Sequence, residues 1–124
     1  MRDHMKLRAF DLADELAVRV YEVTSTFPRE ERLGLGSQLR RAAVSVPSSI
    51  VEGSARSSEA DYLRFLDVAY GSAKEVEYQL ALARRLRLFD PTSSRQVETL
   101  AYETARTLNN LIRALRRPQY KQSA

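Results

Sequence analysis

Residues 34–53 read GLGSQLRRAAVSVPSSIVEG, a long helical pattern with a proline in its interior. Leu35, Leu39, Ala42, Val46, Ile50 and Gly53 recur at three- and four-residue steps, which lays one apolar face along the whole segment. Pro47 interrupts it. Proline offers no N–H to the carbonyl of Ala43 and its ring crowds that carbonyl, a loss of about 3 kcal/mol inside a straight helix. Either the helix stops near Val46, or it bends at Pro47 and is held by its neighbours. The apolar spacing stays in phase beyond Pro47, which favours a kinked helix, with Ser45, Ser48 and Ser49 placed to bond the freed backbone groups.

Upstream, Ala13, Leu16, Ala17, Val20, Val23 and Phe27 form an apolar stripe, with Asp14, Glu15, Arg19 and Glu22 facing outward. That predicts a helix from about Leu7–Asp11 to Thr26, stopped at Phe27-Pro28 because the residue before proline is pushed out of the helical region. Residues 29–36 are a short connection with room for one helical turn over Glu30–Leu33. Downstream, GSARSS at 53–58 is a loop, and Ser58 with Asp61 three residues on makes a capping pair. The next helix should run from Glu59 to about Leu88, with Gly71 making room for a neighbouring helix. Asp90-Pro91-Thr92-Ser93 is a turn and cap. Val97, Ala101, Thr104, Leu108, Leu111 and Leu115 then carry a last helix to about Arg117, before Pro118.

Four amphipathic helices with short connections and no strand pattern predict an all-α fold, an up-down-up-down four-helix bundle over residues 1–118 with a kinked second helix. Residues 119–124 form a polar tail expected to be disordered. At 124 residues one domain suffices, and the chain contains no cysteine to staple it. No apolar run approaches a membrane span and the N-terminus lacks a leader-like pattern, so the expected setting is cytoplasmic. Tyr62, Phe65, Leu66, Tyr70 and Tyr78 cover more of the third long helix than one bundle core needs. A second buried face, against other copies of the chain, is the economical explanation.

No catalytic motif appears, and a non-enzymatic protein without cofactor or metal is expected. A di-metal bundle site wants Glu-x-x-His pairs, whereas His4 is the only histidine and lies outside the bundle. Glu52, Glu75 and Glu77 are better read as partners for Arg40, Arg41 or Arg64. Gly34-x-Gly36 lacks both the preceding strand and the remaining glycines of a dinucleotide loop. The cations say more. The net charge is +4, and seventeen of the twenty basic residues are arginine, the side chain that forks onto phosphate and carboxylate. An antiparallel bundle gathers Arg29, Arg32, Arg40, Arg41, Arg84, Arg85 and Arg87 at one end, and Arg2, Lys6, Arg8, Arg56, Arg113, Arg116, Arg117 and Lys121 at the other. Helix C-termini favour cations and explain part of both groups. Arg40 and Arg41 sit at no helix end, and with Arg84, Arg85 and Arg87 they are the candidates for contacting RNA or single-stranded DNA. Being about 100° apart, one of the first pair should flank the core seam near Glu75 or Glu77 and the other should point outward.

Phe10-Asp11-Leu12-Ala13, Phe27-Pro28, the block at 34–53, Arg56 and FLDVAYGSAKEVEYQL at 65–80 resemble the 23S rRNA-intervening-sequence protein family. The resemblance implies a helical bundle assembled as a ring-like homopentamer, encoded within an rRNA insertion or as a free-standing gene. The accessory variability protein of diversity-generating retroelements is similar to that family, which implies nucleic acid and a reverse transcriptase or another protein as partners. Where the family usually carries Pro-Ser-Asn-Ile-Ala-Glu-Gly, this chain has Pro47-Ser48-Ser49-Ile50-Val51-Glu52-Gly53, and so lacks an asparagine amide to span the bend. Two readings follow: an oligomeric nucleic-acid-binding protein, or an interaction adaptor whose charge is incidental.

Overall fold

The computed structural model describes residues 2–4 and 7–117. The expected tail at 119–124, and Lys6 and Lys121, lie outside the described residues. Among the described residues there are five helices and no strand: α1 (Arg8–Thr24), α2 (Arg29–Leu33), α3 (Leu35–Ser54), α4 (Glu59–Arg85) and α5 (Pro91–Arg116). The short α2 is the helical turn expected between the first two long helices, so the proline-bearing helix is third in the chain.

The four long helices close on one another, α1 packing on α3 and α5, and α4 packing on α3 and α5. Cross-contacts pair residues in opposite order. Ser45 meets Ser72 and Gly53 meets Phe65 across α3 and α4, while Arg84 meets Glu98 and Asp67 meets Arg116 across α4 and α5. The core has two layers. One is built on Val46, Ile50, Tyr62, Leu66 and Leu108, the other on Leu16, Val20, Leu39, Val76 and Leu80. Small side chains, among them Ala13, Ala43, Ala73 and Ala105, supply much of the remaining buried surface and let helix axes approach.

The helix α3 runs unbroken through Pro47 to Ser54. Val46, Ile50 and Gly53 are buried on either side of the proline, so tertiary packing outweighs the missing hydrogen bond. Of the serines expected to bond freed backbone groups, Ser45 acts differently. Ser45 is bonded to the Ser72 hydroxyl at 2.9 Å rather than to a freed backbone group, and Ser54 donates to the Ile50 carbonyl at 2.8 Å. At Gly53 α3 and α4 approach tightly, since a Cβ there would lie 2.8 Å from that of Phe65.

Several expected boundaries shift for local reasons. Helix α1 ends at Thr24 because three successive hydroxyls, of Thr24, Ser25 and Thr26, donate to the carbonyls of Val20, Glu22 and Val23 at 2.6–2.7 Å. Helix α4 ends at Arg85 rather than Leu88. Arg87 adopts φ 58°, and Leu88 N–H and Arg87 N–H close onto the carbonyls of Ala83 and Arg84, the paired bonds of a left-handed helix terminator. Gly71 makes no room within the protomer, for nothing lies within 4 Å of a Cβ built there. The expected second face of α4 is also redistributed. Tyr62 and Leu66 belong to the core, Phe65 and Tyr70 are half-buried and only Tyr78 is exposed, while Val68, Val44 and Val51 add exposed apolar surface on α4 and α3. Among the described residues no helix is long and apolar enough to cross a membrane.

Candidate functional site

The five candidate arginines divide into three places. Arg40 turns toward α1. Its Nε donates to the buried Thr24 hydroxyl at 2.8 Å, a second nitrogen donates to the Tyr21 carbonyl at 3.2 Å, and the guanidinium lies 4.5 Å from the Tyr21 ring centre. The Tyr21 carbonyl also accepts from the Ser25 N–H at 3.2 Å, so the guanidinium adds a second bond there, and it lies where the negative dipole end of α1 favours a cation. Arg40 therefore flanks the core as expected, but against α1 and not against Glu75 or Glu77.

Arg41 points outward into the groove between α3 and α4, lined also by Gln38, Ser45, Ser72 and Glu75. It forms no ion pair among the described residues. Glu75 accepts a bond from Gln79 at 3.1 Å, and Glu77 pairs with Lys74 at 2.9 Å. Arg64 pairs with Asp61, and Glu52 with Arg56, each within a turn of its own helix or the residues just after it.

On the other side of α4, Arg84 and Arg87 border a cavity of about 650 Å³ between α4 and α5. The helix α5 contributes Pro91, Ser94, Arg95 and Glu98, and the connection contributes Phe89. Arg85 is exposed nearby but outside the lining. The carboxylate of Glu98 is already engaged: Arg84 Nε donates to it at 3.0 Å and the buried Ser94 hydroxyl at 2.6 Å. Phe89 is half-buried and packs at 5.5 Å and 76° against Phe27, which joins the mouth of the cavity to the α1–α2 connection. Asp90 caps α5 through the Ser93 N–H and hydroxyl, both at 2.8 Å. These bonds hold its carboxyl below the usual carboxylate range, and its charge is spent on the cap.

The two ends of the protein differ in how their arginines are used. At the end away from the cavity, Arg2, Arg56, Arg64 and Arg116 are matched to Glu59, Glu52, Asp61 and Asp67, the last pair holding Arg116 more firmly protonated. Arg8, Arg113 and Arg117 make no ion pair there among the described residues. At the cavity end Arg29, Arg32, Arg41, Arg85, Arg87 and Arg95 make none either, and only Arg84 meets a carboxylate on another helix. Phe89, Arg95 and Ser94 escaped the reading of the sequence. A phenylalanine just before the Asp90-Pro91 cap and a Ser94–Glu98 pair one turn apart were the available signals. Among the described residues no group of three or more His, Cys, Asp or Glu is placed to hold a metal ion.

An all-helical chain with a basic end and a mixed apolar cavity is a class shared by many proteins, and comparison narrows it. The family model of the 23S rRNA-intervening sequence protein matches residues 5–110, and the chain belongs to that family. Among solved structures, a protein of unknown function from the S23 ribosomal protein family of Bacteroides thetaiotaomicron is similar, with a TM-score of 0.78 and 24% identity over 85% of this chain and 95% of that one. At that identity the likeness shows the fold alone. No curated protein sequence matches the chain at a significant level.

Proposed function

We propose that this is a non-enzymatic, homo-oligomeric helical bundle that binds RNA or single-stranded DNA through its arginine-rich cavity end. The observation that carries the reading is the surplus of arginines without carboxylate partners at that end, six exposed side chains (Arg29, Arg32, Arg41, Arg85, Arg87 and Arg95) gathered on α2, α3, α4, its C-terminal turn and α5. Arginines already paired with carboxylates would have to break those pairs to reach a phosphate, whereas unpaired ones exchange only water and counterions. An up-down-up-down arrangement repeated in a ring, with the pentamer that the sequence resemblance implies, would present this end several times to one strand.

Fluorescence anisotropy with labelled single-stranded RNA and DNA, across about 50 to 300 mM salt, tests it. Binding should weaken steeply with salt, and removing one phosphate-contacting arginine should reduce the slope of log K against log salt by about 0.7. Absence of binding at the lowest salt would leave the second reading, a protein-interaction adaptor, which the exposed Val44, Val51 and Val68 favour.

A further inference from the structure

We infer that the cavity between α4 and α5 seats one base of a single-stranded nucleic acid, with Phe89 and Pro91 as its apolar wall and Arg87 and Arg95 as contacts to the flanking phosphates. This rests on the nucleic-acid reading above and deepens it, because it assigns a pocket to a base where that reading needs only surface charge. The volume, about 650 Å³, lies in the range of small-ligand pockets. Its walls combine an aromatic ring with cations, the combination on which single strands are held by stacking and phosphate neutralisation together. The one carboxylate in the lining does not oppose an anion, since Glu98 is neutralised by Arg84 and bonded by Ser94. Arg87 and Arg95 make no ion pair among the described residues, so both remain available.

The backbone of Arg87 is the second observation. Position 87 is the left-handed terminator of α4, with φ 58°, where glycine is the residue of least strain. An arginine there occupies a conformation that costs a non-glycine residue free energy, and such strain concentrates where a side chain serves a purpose other than folding. The placement leaves Arg87 lining the cavity together with Arg95.

Arg87→Gly separates folding from binding: it relieves the backbone, so the variant should be at least as stable as the parent, yet it should bind a thymidine oligonucleotide severalfold less tightly. Phe89→Leu keeps an apolar side chain beside Phe27 while removing the aromatic ring, and should weaken the same oligonucleotide about tenfold. An oligonucleotide of equal length with abasic spacers carries the same phosphates and should bind about tenfold less well than its thymidine counterpart. If the abasic strand binds as tightly as thymidine, or Arg87→Gly and Phe89→Leu leave affinity unchanged, the base pocket is wrong while phosphate binding stands. If neither strand binds, both this inference and the nucleic-acid reading fall.

Discussion

Arg40 and Arg41 are neighbours in the chain with opposite structural fates. Arg40 donates to Thr24 and to the Tyr21 carbonyl, both at the end of α1, and its loss removes two charge-assisted hydrogen bonds that tie α3 to α1, although Thr24 still donates to Val20 and Tyr21 still accepts from the Ser25 N–H. Arg40→Ala should cost about 2 kcal/mol in denaturant unfolding, in the range of hydrogen bonds made by charged groups. Arg41→Ala, on the exposed wall of the α3–α4 groove, should stay within about 0.5 kcal/mol of the parent. Equal losses in both variants would show that Arg41 is also held by the fold. The sequence made this division legible in part: a 100° step between adjacent residues requires one inward and one outward side chain. It could not say which neighbour would receive the inward one. That choice depends on the Thr24 hydroxyl being free to accept, after donating its own hydrogen to Val20.

At the scale of the element, α3 and α5 show how much a helix depends on what it meets. Pro47 is tolerated because the helix is buried on both sides of it, and the in-phase apolar pattern announced that continuity where local propensity argued for a break. The close approach at Gly53 was invisible in the same pattern, where glycine merely occupied an apolar position. Gly53→Ala should destabilise by about 1–3 kcal/mol, because the added methyl meets Phe65 Cβ and Tyr62 in a packed interface. Gly71→Ala, with open space around it, should instead stabilise α4 by up to about 1 kcal/mol. Thermal unfolding followed by circular dichroism distinguishes the signs, and a stabilising Gly53→Ala would mean that α3 and α4 can part without penalty. The cap of α5 adds a pH dependence. Asp90 has its carboxyl lowered by the Ser93 bonds, so its contribution is present above the unfolded carboxylate value and fades as pH falls through the still lower folded value. Asp90→Asn, which keeps an acceptor but cannot titrate, should flatten that part of the acid melting profile. Asp90→Ala should lower the melting temperature at neutral pH as well. An acid profile unchanged by Asp90→Asn would place the titration elsewhere.

For the whole molecule, the class of fold was legible because four long segments kept the helical period and every connection was short. The cavity was not, since it is assembled from the end of α4, the turn after it and the start of α5, and no periodicity links Arg87 to Arg95. Assembly lies between these cases. Tyr62 and Leu66, which suggested a second buried face, are consumed by the core, yet Val44 and Val51 lie two turns apart on the outer side of α3 and Val68 lies on α4, all exposed. Gly71 sits one turn beyond Val68 with nothing near it, and in a helix interior a glycine without a local packing role weakens the protomer. Contact with a second copy would supply that role, since small residues let helix backbones approach across an interface. The proposed homo-oligomer should therefore use the outer face of α3 and α4. Sedimentation equilibrium at micromolar concentration should give a multiple of 14.1 kDa, a pentamer in the expected case, and Gly71→Arg should reduce that mass while leaving helicity unchanged, because the protomer has space for the side chain. A monomeric parent would exclude the assembly altogether. A Gly71→Arg protein that remains fully assembled would move the interface to another face and leave Val44, Val51 and Val68 as surface for a different protein.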